Sequence, residues 1–299
     1  MPSTRDIRRR IKSVKSTAQI TKAMQMVASS KMLKAQQGAI NFRPFAAMSA
    51  ELMSHLTQDT DDYRHPLMET REVRRRAVVL IGTDKGLCGA LNANLFREAA
   101  RYAPATTRFI AVGKKAAQFI ARTRRTLVAE FACRDTPTYG ECQAISKFAQ
   151  DLFLKGEVDA VDVLYTRFIS TLSQQPDQRA FLPMGSALNL PAEGAASPGL
   201  RAGEPKRYHF LFEPDPATVL DRLVLYFLDF RVAQLLLEAK ASEHSARMVA
   251  MKNATDNAKQ MSDVFSGEYQ DALGMLLGDR SAKMFQKIWE RCTLYPFSL

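Results

Sequence analysis

The feature that most constrains this sequence is a pair of long segments with heptad spacing, one near each end. In the first, apolar or small residues recur every three or four positions, at Ile7, Ile11, Val14, Ala18, Thr21, Gln25, Ala28, Met32, Ala35, Ala39 and Phe42. In the second, similar spacing runs through Leu223, Tyr226, Phe230, Ala233, Leu237, Ala241, His244, Met248, Met251, Thr255 and Ala258. A heptad spacing sustained over several turns is typical of a coiled coil. We therefore expect two long terminal helices that pair antiparallel with each other.

Local signals support both helices. Asp6 is placed where the helix dipole favours a carboxylate in the first turn. Asp215 and Pro216 are typical of an N-cap followed by the first helical residue. Pro44 predicts a kink in the first helix, which resumes beyond it. From Pro216 to about Phe265 the second helix would be roughly 75 Å long, at about 1.5 Å per residue.

The middle of the chain alternates between strand and helix patterns, which indicates an α/β layer. Strands are predicted at 77–82, 108–112, 126–132, 161–169 and 179–184, and helices from Leu91 to Tyr102, at 114–122 and at 140–155. Residues 191–205 are rich in Pro, Gly and Ala and predict a loop. The predicted fold class is α/β plus a long antiparallel coiled coil, with a central Rossmann-like module and a mainly parallel sheet. The predicted segments are an N-terminal helical part at 1–75, the module at 76–209 and a C-terminal helical part at 210–299.

The charge of the chain is strongly positive and unevenly distributed. Its 42 Lys and Arg exceed its 31 Asp and Glu, and the net charge is +11. Residues 1–36 carry nine basic residues against one acid, Asp6. Such a balance predicts an acidic partner, which is nucleic acid, an anionic membrane surface or an acidic protein face, or else simply a solvated basic surface. No apolar run approaches the roughly 20 residues that a membrane span needs.

Around residues 17–30 and 248–258 the two predicted helices are poor in charge on every face. Two helices in contact cannot cover each other all round. We therefore expect a third body to surround this part of the pair. Met24 and Met26 make the same point, because residues two apart on a helix face different directions and one seam cannot bury both.

The stretch TDKGLCGALN, residues 83–92, follows a strand and opens a helix, as a phosphate-binding loop does. It lacks the required order of residues, because Lys85 precedes Gly86, and the G-x-G-x-x-G fingerprint is also absent. Glycines that serve a tight turn are the favoured interpretation. Cys88 is either a nucleophile at a helix N-terminus or a small buried side chain. The four histidines have no metal-ligand spacing, so the sequence predicts no catalytic set, no cofactor and no metal site.

Four motifs resemble the gamma subunit of F-type ATP synthases, from the N-terminus to about Met261. They are ITKAMQMVASSKM (20–32), TDKGLCGALN (83–92), FEPDP (212–216) and SEHSARMVAMKNATDN (242–257). The resemblance implies a central rotary shaft without an ATP site of its own, surrounded by three alpha and three beta subunits. A ring of c subunits, driven by protons or sodium ions, would turn this shaft and so couple rotation to ATP synthesis or hydrolysis on the beta subunits.

The resemblance also implies roles for individual residues. Met24 and Arg247 would lie in the shaft zone that faces the beta subunits. Lys85 and Cys88 would lie on the turn that passes an acidic lever of beta, and Glu213 would lie near the c-ring loops and the epsilon subunit. The chain would be peripheral to the membrane through its complex, on the cytoplasmic side of the inner (cell) membrane in a bacterium, and would bind no nucleic acid.

The tail, residues 262–299, departs from the family pattern and is interpreted as either a true variant or an altered reading frame. Two other classes of protein remain as alternatives. A basic coiled-coil protein that binds nucleic acid would need an exposed stripe of Lys and Arg, which the charge-poor zones do not provide. An α/β enzyme with helical arms would need a cleft with perturbed acids and bases, which the sequence does not indicate.

Overall fold

A computed structural model describes residues 4–59, 65–184 and 215–293. The elements in chain order are α1 (Thr4–Asp59), a short 3-10 helix (Pro66–Met68), β1 (Arg76–Ile81), α2 (Leu91–Ala100), β2 (Thr107–Val112), α3 (Lys114–Arg122), β3 (Thr126–Phe131), α4 (Tyr139–Leu154), β4 (Ala160–Phe168), β5 (Gln174–Leu182) and α5 (Pro216–Thr293). The predicted loop at 191–205 and Glu213 lie outside the described residues. By their internal contacts the described residues form two compact units, one made of 4–26 with 251–293 and the other of those between 27 and 250. The division into segments 1–75, 76–209 and 210–299 stays a prediction.

Helix α5 is longer than the sequence predicts, whereas α1 continues past Pro44 as expected, and the kink at Pro44 stays a prediction. Helix α1 is assigned without a break from Thr4 to Asp59, with Pro44 inside it. Helix α5 begins as expected, because the Asp215 carboxylate accepts the Thr218 amide N–H at 2.9 Å. It does not end near Phe265 but continues to Thr293.

The first unit is an antiparallel pair formed by the start of α1 and the second half of α5. The hydroxyl oxygens of Thr21 and Thr255 are 2.7 Å apart, and Arg8 donates to the Tyr269 hydroxyl at 2.5 Å. The earlier residue of α1, Arg8, contacts the later residue of α5, Tyr269, so the two helices run antiparallel, as predicted. Ser262 is buried and Tyr269 is half-buried, so the heptad spacing of the seam continues into the tail that the sequence left unassigned.

The second unit contains the sheet, whose strand order is β3-β2-β1-β4-β5. Strands β1, β2, β3 and β4 pair in parallel, and β5 pairs antiparallel with β4. The mainly parallel α/β module is therefore confirmed, with the doubly wound order in which the chain reverses direction across the sheet between β1 and β4. Strand β5 begins at Gln174, five residues before the predicted strand at 179–184.

Each face of the sheet is covered by its own apolar cluster, because neighbouring residues of a strand point to opposite faces. On one face Val78 and Leu80 pack with α2 and α3. On the other face Val79 and Ile81 belong to a cluster that also contains residues of α4 and α5. The α5 residues of that cluster that repeat every four positions are Val224, Leu228, Val232 and Leu236. Helix α5 is therefore part of the core of this unit.

We predict that Gly113→Ala destabilises this unit, because Gly113 combines a φ of +95° with close contact to backbone. A Cβ at this position would lie 2.8 Å from the Gly82 carbonyl oxygen. The strained φ alone costs about 1–3 kcal/mol in the free energy of unfolding, and the clash adds to this cost. Gly140→Ala is the matched control, because a Cβ there meets nothing within 4 Å. Chemical denaturation of both variants checks the prediction, and equal stabilities would contradict it.

Candidate functional site

Three loops at the carboxyl edge of the sheet meet one segment of helix α5, Lys240–Arg247. The loop after β1 contacts it through Asp84, Lys85 and Gly86. The loop after β3 contacts it through Asp135, and the end of β4 and its following turn contact it through main-chain oxygens. Open α/β sheets bind their ligands at this edge, near the point where the strand order reverses. In this chain a helix fills that place.

The loop between β1 and α2 is a tight turn held by its own side chains. The Thr83 hydroxyl donates to the Lys85 carbonyl oxygen at 2.8 Å and accepts from the Asn92 amide at 2.7 Å. Leu87 has a φ of +62° and Gly89 one of +60°. Towards α5 the loop presents carbonyl oxygens, whereas a phosphate-binding loop presents amide N–H groups to its ligand. The turn interpretation of this motif therefore agrees with the geometry.

Of the predicted contact residues on this loop, Lys85 is exposed and Cys88 is not. Lys85 lies at the tip beside Leu87, whose side chain is 62% exposed. Cys88 is only 3% exposed and lies 3.4 Å from the Asn92 amide nitrogen. Burial raises the pKa of the Cys88 thiol. A thiol with a raised pKa is a poor nucleophile at neutral pH, so Cys88 fits the alternative of a small buried side chain.

Arg247, which the sequence places among the contacts with beta, has its side chain engaged within this chain. Its guanidinium donates to the carbonyl oxygens of Lys85 at 3.2 Å and Gly86 at 3.4 Å. It also pairs with the Glu243 carboxylate at 2.8 Å. Met24 is half-buried, while Met26 is 60% exposed, so the prediction that one seam cannot bury both is confirmed. A direct contact of Met24, Lys85, Cys88, Glu213 or Arg247 with a partner stays a prediction.

A group of charged residues beside Arg247 was missed by the sequence reasoning. Lys240 Nζ lies 3.2 Å from the Glu243 carboxylate and 3.9 Å from the Asp84 carboxylate. Burial alone would lower the pKa of Lys240, but the neighbouring carboxylates outweigh it, and the pKa is raised. The spacing of Lys240, Glu243 and Arg247 places all three on one helix face. That spacing was the available signal, but nothing in the sequence indicated that the face is buried.

His244 joins α5 to the loop after β3 and is buried, as its place on the predicted seam indicated. Its Nδ1 is 3.4 Å from Arg247 Nη1, and its Nε2 is 3.6 Å from the Asp135 carboxylate. Because a guanidinium has only donors, Nδ1 is the acceptor and the ring proton is on Nε2, facing Asp135. Lys31 of α1 pairs with the other oxygen of Asp135 at 2.6 Å. Burial lowers the pKa of His244.

The end of β4 and the turn after it are fixed to α5 by hydroxyl groups. Ser242 donates to the Thr166 carbonyl oxygen at 2.9 Å, and Ser245 donates to the Thr171 carbonyl oxygen at 2.8 Å. Leu172, at the tip of this turn, is 82% exposed. The two short serine side chains therefore bring helix and turn close together and leave an apolar tip in solvent.

Several apolar side chains of the helices are exposed in this chain. On α1 they include Ile20, Met26 and Val27, each more than half exposed, and on α5 they include Met261 and Val264. These exposed residues of α1 lie within the charge-poor zone 17–30, as expected if a further body covers it, whereas Met261 and Val264 lie beyond the zone 248–258. Among the described residues there is neither a helix long and apolar enough to cross a membrane nor a group of three or more potential metal ligands.

We predict that His244 makes stability fall as the pH decreases below about 6.5. Because its pKa is lower in the folded than in the unfolded state, the unfolded chain takes up the proton first. The contribution of neutral His244 is fully present above its unfolded pKa and is lost as the pH falls towards the folded pKa. The charges around the ring are Glu243, Asp135, Arg247 and Lys240.

The variant His244→Gln removes this proton uptake, so its free energy of unfolding should depend less on pH between 7 and 5. The difference in slope between the two proteins is at most about 1.4 kcal/mol per pH unit for one proton. The pKa of His65 is also lowered by burial. The pH dependence of the free energy of unfolding of His65→Gln therefore shows how much of the effect in the parent chain comes from this second histidine. Identical pH profiles for the parent chain and His244→Gln would contradict the prediction.

Comparison with known proteins places the chain in a family. A family model described as ATP synthase matches residues 3–272, eleven residues beyond Met261. A gamma chain of ATP synthase from Opitutus terrae is 46% identical over 277 residues, which cover 91% of this chain and 93% of that protein. A gamma chain from Methylacidiphilum infernorum is 41% identical with the same coverage.

Solved structures agree. A chain from the central stalk and c-ring of the mitochondrial ATP synthase of Tetrahymena thermophila has a TM-score of 0.58 and 25% identity, and the match covers 79% of this chain and 99% of that one. A chain from the mitochondrial ATP synthase of Euglena gracilis has a TM-score of 0.67 with 17% identity, covering 99% and 97% of the two chains, and shares the fold. The chain therefore belongs to the family of ATP synthase gamma chains.

Proposed function

We infer that this chain works as the central rotary shaft of an F-type ATP synthase. It couples rotation of a c-ring, driven by protons or sodium ions, to ATP synthesis or hydrolysis on the beta subunits. The observation that carries the inference is family membership over residues 3–272, which include both halves of the helix pair. The chain itself is a non-catalytic subunit. Its helix segment Lys240–Arg247 occupies the carboxyl edge of the sheet, so that this edge makes structural contacts.

The partners are three alpha and three beta subunits around the helix pair, and an epsilon subunit and the c-ring at its base. The related chains of known structure come from a central stalk with its c-ring, and from an assembly of OSCP, F1 and c-ring. Exposed Ile20 and Val27 support a surrounding body, because they are seven residues apart on one face of α1 and exposed apolar side chains that share a face mark an interaction site. In a bacterium the chain lies on the cytoplasmic side of the inner membrane, attached through the complex.

The loop tip at Lys85 is the proposed contact with an acidic lever of beta. Lys85 is exposed beside an apolar side chain, Leu87, which has few contacts of its own. A cation that meets carboxylates across an interface steers and orients the partners more than it adds affinity. Met24 and Arg247 in the shaft zone, Cys88 on the same loop and Glu213 near the c-ring are the other proposed contact positions.

We predict that Lys85→Glu weakens coupling in the assembled complex and leaves the chain's own stability within about 0.5 kcal/mol, as is usual for surface substitutions. Attraction to an acidic lever becomes repulsion, so fewer protons are pumped per ATP hydrolysed. Lys147→Glu is the matched control, because Lys147 is an exposed lysine of α4. Hydrolysis and proton pumping of the reconstituted complexes are the measurement. Unchanged coupling in Lys85→Glu would remove Lys85 from the contact.

We predict that Met24→Lys slows rotation of the assembled complex, because a cation in the shaft zone pairs with an acid of one beta subunit. Such a pair contributes ~1–3 kcal/mol when partly buried. Since it must break at each step, turnover slows by roughly tenfold to a hundredfold, at about 1.4 kcal/mol per decade.

Met24→Leu keeps the site apolar and serves as the control for the change of side-chain shape. Turnover and coupling against temperature, with subunit stoichiometry checked, are the measurement. A steeper temperature dependence with normal assembly is expected for Met24→Lys alone. Normal turnover of a fully assembled Met24→Lys complex would exclude Met24 from a moving interface.

A further inference from the structure

Four charged side chains form a compact cluster between helix α5 and the loop that carries Lys85. They are Asp84, Lys240, Glu243 and Arg247, and we name them the loop clamp. Lys240 and Glu243 are only 4% and 5% exposed, and Arg247 is 11% exposed. Two cations and two anions make the clamp neutral overall.

Glu243 is the centre of the clamp, because its two oxygens have different partners. Oε2 is 3.2 Å from Lys240 Nζ, one turn earlier on the helix, and Oε1 is 2.8 Å from Arg247 Nη2, one turn later. The carboxylate therefore holds the guanidinium on its loop side. From there the guanidinium donates to the carbonyl oxygens of Lys85 and Gly86.

A buried ion pair is weak evidence for stability, since apolar residues of similar volume often serve as well. The advantage of the ion pair here is that its hydrogen bonds have a fixed direction, which apolar contacts do not have. An apolar side chain at position 247 would fill the space but leave the carbonyl oxygens of Lys85 and Gly86 without these donors. The planar fork of a guanidinium reaches both carbonyls and the carboxylate at the same time.

The loop needs such a restraint because its next residue is strained. Leu87 has a φ of +62° although it is not glycine, and its exposed side chain gains little packing in return. A backbone in this region persists only when its surroundings over-determine it. The Arg247 hydrogen bonds act on the two residues immediately before Leu87.

We propose that Glu243 and Lys240 are positioning residues for coupling, which hold Arg247 against the loop and so fix the loop tip at one place on α5. The proposal rests on the proposed function in one respect, namely that Lys85 on this tip meets a partner. Torque then passes between tip and helix through directional hydrogen bonds. The clamp itself is a property of this chain and is testable without any partner.

Cys88 provides the readout for loop opening. Its thiol is buried by the closed loop, and a native protein is alkylated at a buried thiol only when that site opens locally. Cys142, a buried thiol at the start of α4, reports opening of the module as a whole. The labelling rate of each cysteine in the folded full-length chain is measured by peptide mass spectrometry after timed alkylation.

The test variant is Glu243→Gln, and we expect Cys88 to be labelled about tenfold faster or more, with Cys142 unchanged. Glu238→Gln is the matched control, because Glu238 is a half-buried glutamate of the same helix. It should leave both rates as in the parent chain. The paired variant Lys240→Met/Glu243→Gln keeps the clamp neutral and does not leave Lys240 buried without its carboxylate, so we expect it to fold even if the single variant does not. It should accelerate Cys88 to a similar extent.

Unchanged labelling of Cys88 in the folded paired variant would overturn the proposal. Equal acceleration of Cys88 and Cys142 in both variants would also overturn it, because the residues would then serve overall stability. Coupling in the assembled Glu243→Gln complex should fall together with faster Cys88 labelling. If Glu243→Gln leaves coupling normal while Lys85→Glu uncouples the complex, the clamp has no positioning role. If neither variant uncouples the complex, the proposed contact at Lys85 is wrong, and the labelling of Cys88 alone decides whether the clamp holds the loop.

Discussion

The contact between the Lys240–Arg247 segment and the carboxyl edge of the sheet is the constraint on which the second unit depends. The loops after β1, β3 and β4 all contact these two turns of helix. The contacts are made by a guanidinium, an imidazole beside a carboxylate and a serine hydroxyl, respectively. Upstream, the same helix packs its apolar face on the sheet through residues such as Val232 and Leu236. Apolar burial supplies most of the favourable energy but has no direction. The polar segment that follows supplies the direction, since its hydrogen bonds are made only at one rotation and one height of the helix.

This arrangement also explains how a doubly wound sheet serves a non-catalytic subunit. In such sheets the carboxyl edge is where loops diverge and where a ligand finds unsatisfied backbone groups. Here those groups are satisfied by the protein itself, through Ser242, Ser245 and Arg247. At this carboxyl edge, helix α5 occupies the place where a ligand binds in other such sheets, and it connects the loops to one another. The outer tips of these loops lie outside this contact, and Lys85 and Leu172 are exposed there.

Much of the fold could be predicted from the sequence because it follows from periodicity. The predicted helix at 114–122 coincides with α3, and the predicted seam residues from Ile7 to Ala39 are all buried or half-buried. The start of β5 was missed because Gln174–Gln178 contains no apolar residue except proline, and this edge strand is recognisable only from its pairing with β4. The loop clamp was missed because Asp84 lies more than 150 residues from its partners. The inward direction of the Arg247 side chain could not be predicted either, because a sequence motif gives the residue types but not the helix face on which each residue lies.

The charge-poor zones of the helices and the loop clamp solve opposite physical problems. A surface that turns inside a close-fitting sleeve must have no deep preference for one angle. Apolar side chains such as Ile20 and Met26 suit it, because dispersion contacts are individually weak and non-directional. A joint that transmits torque must not slip, and charge-assisted hydrogen bonds such as that between Glu243 and Arg247 suit it, because they are strong and geometrically specific. The scarcity of charge in the helix zones and the burial of charge in the loop clamp are therefore two consequences of the same requirement. A charge introduced into the first or removed from the second should damage coupling by different routes.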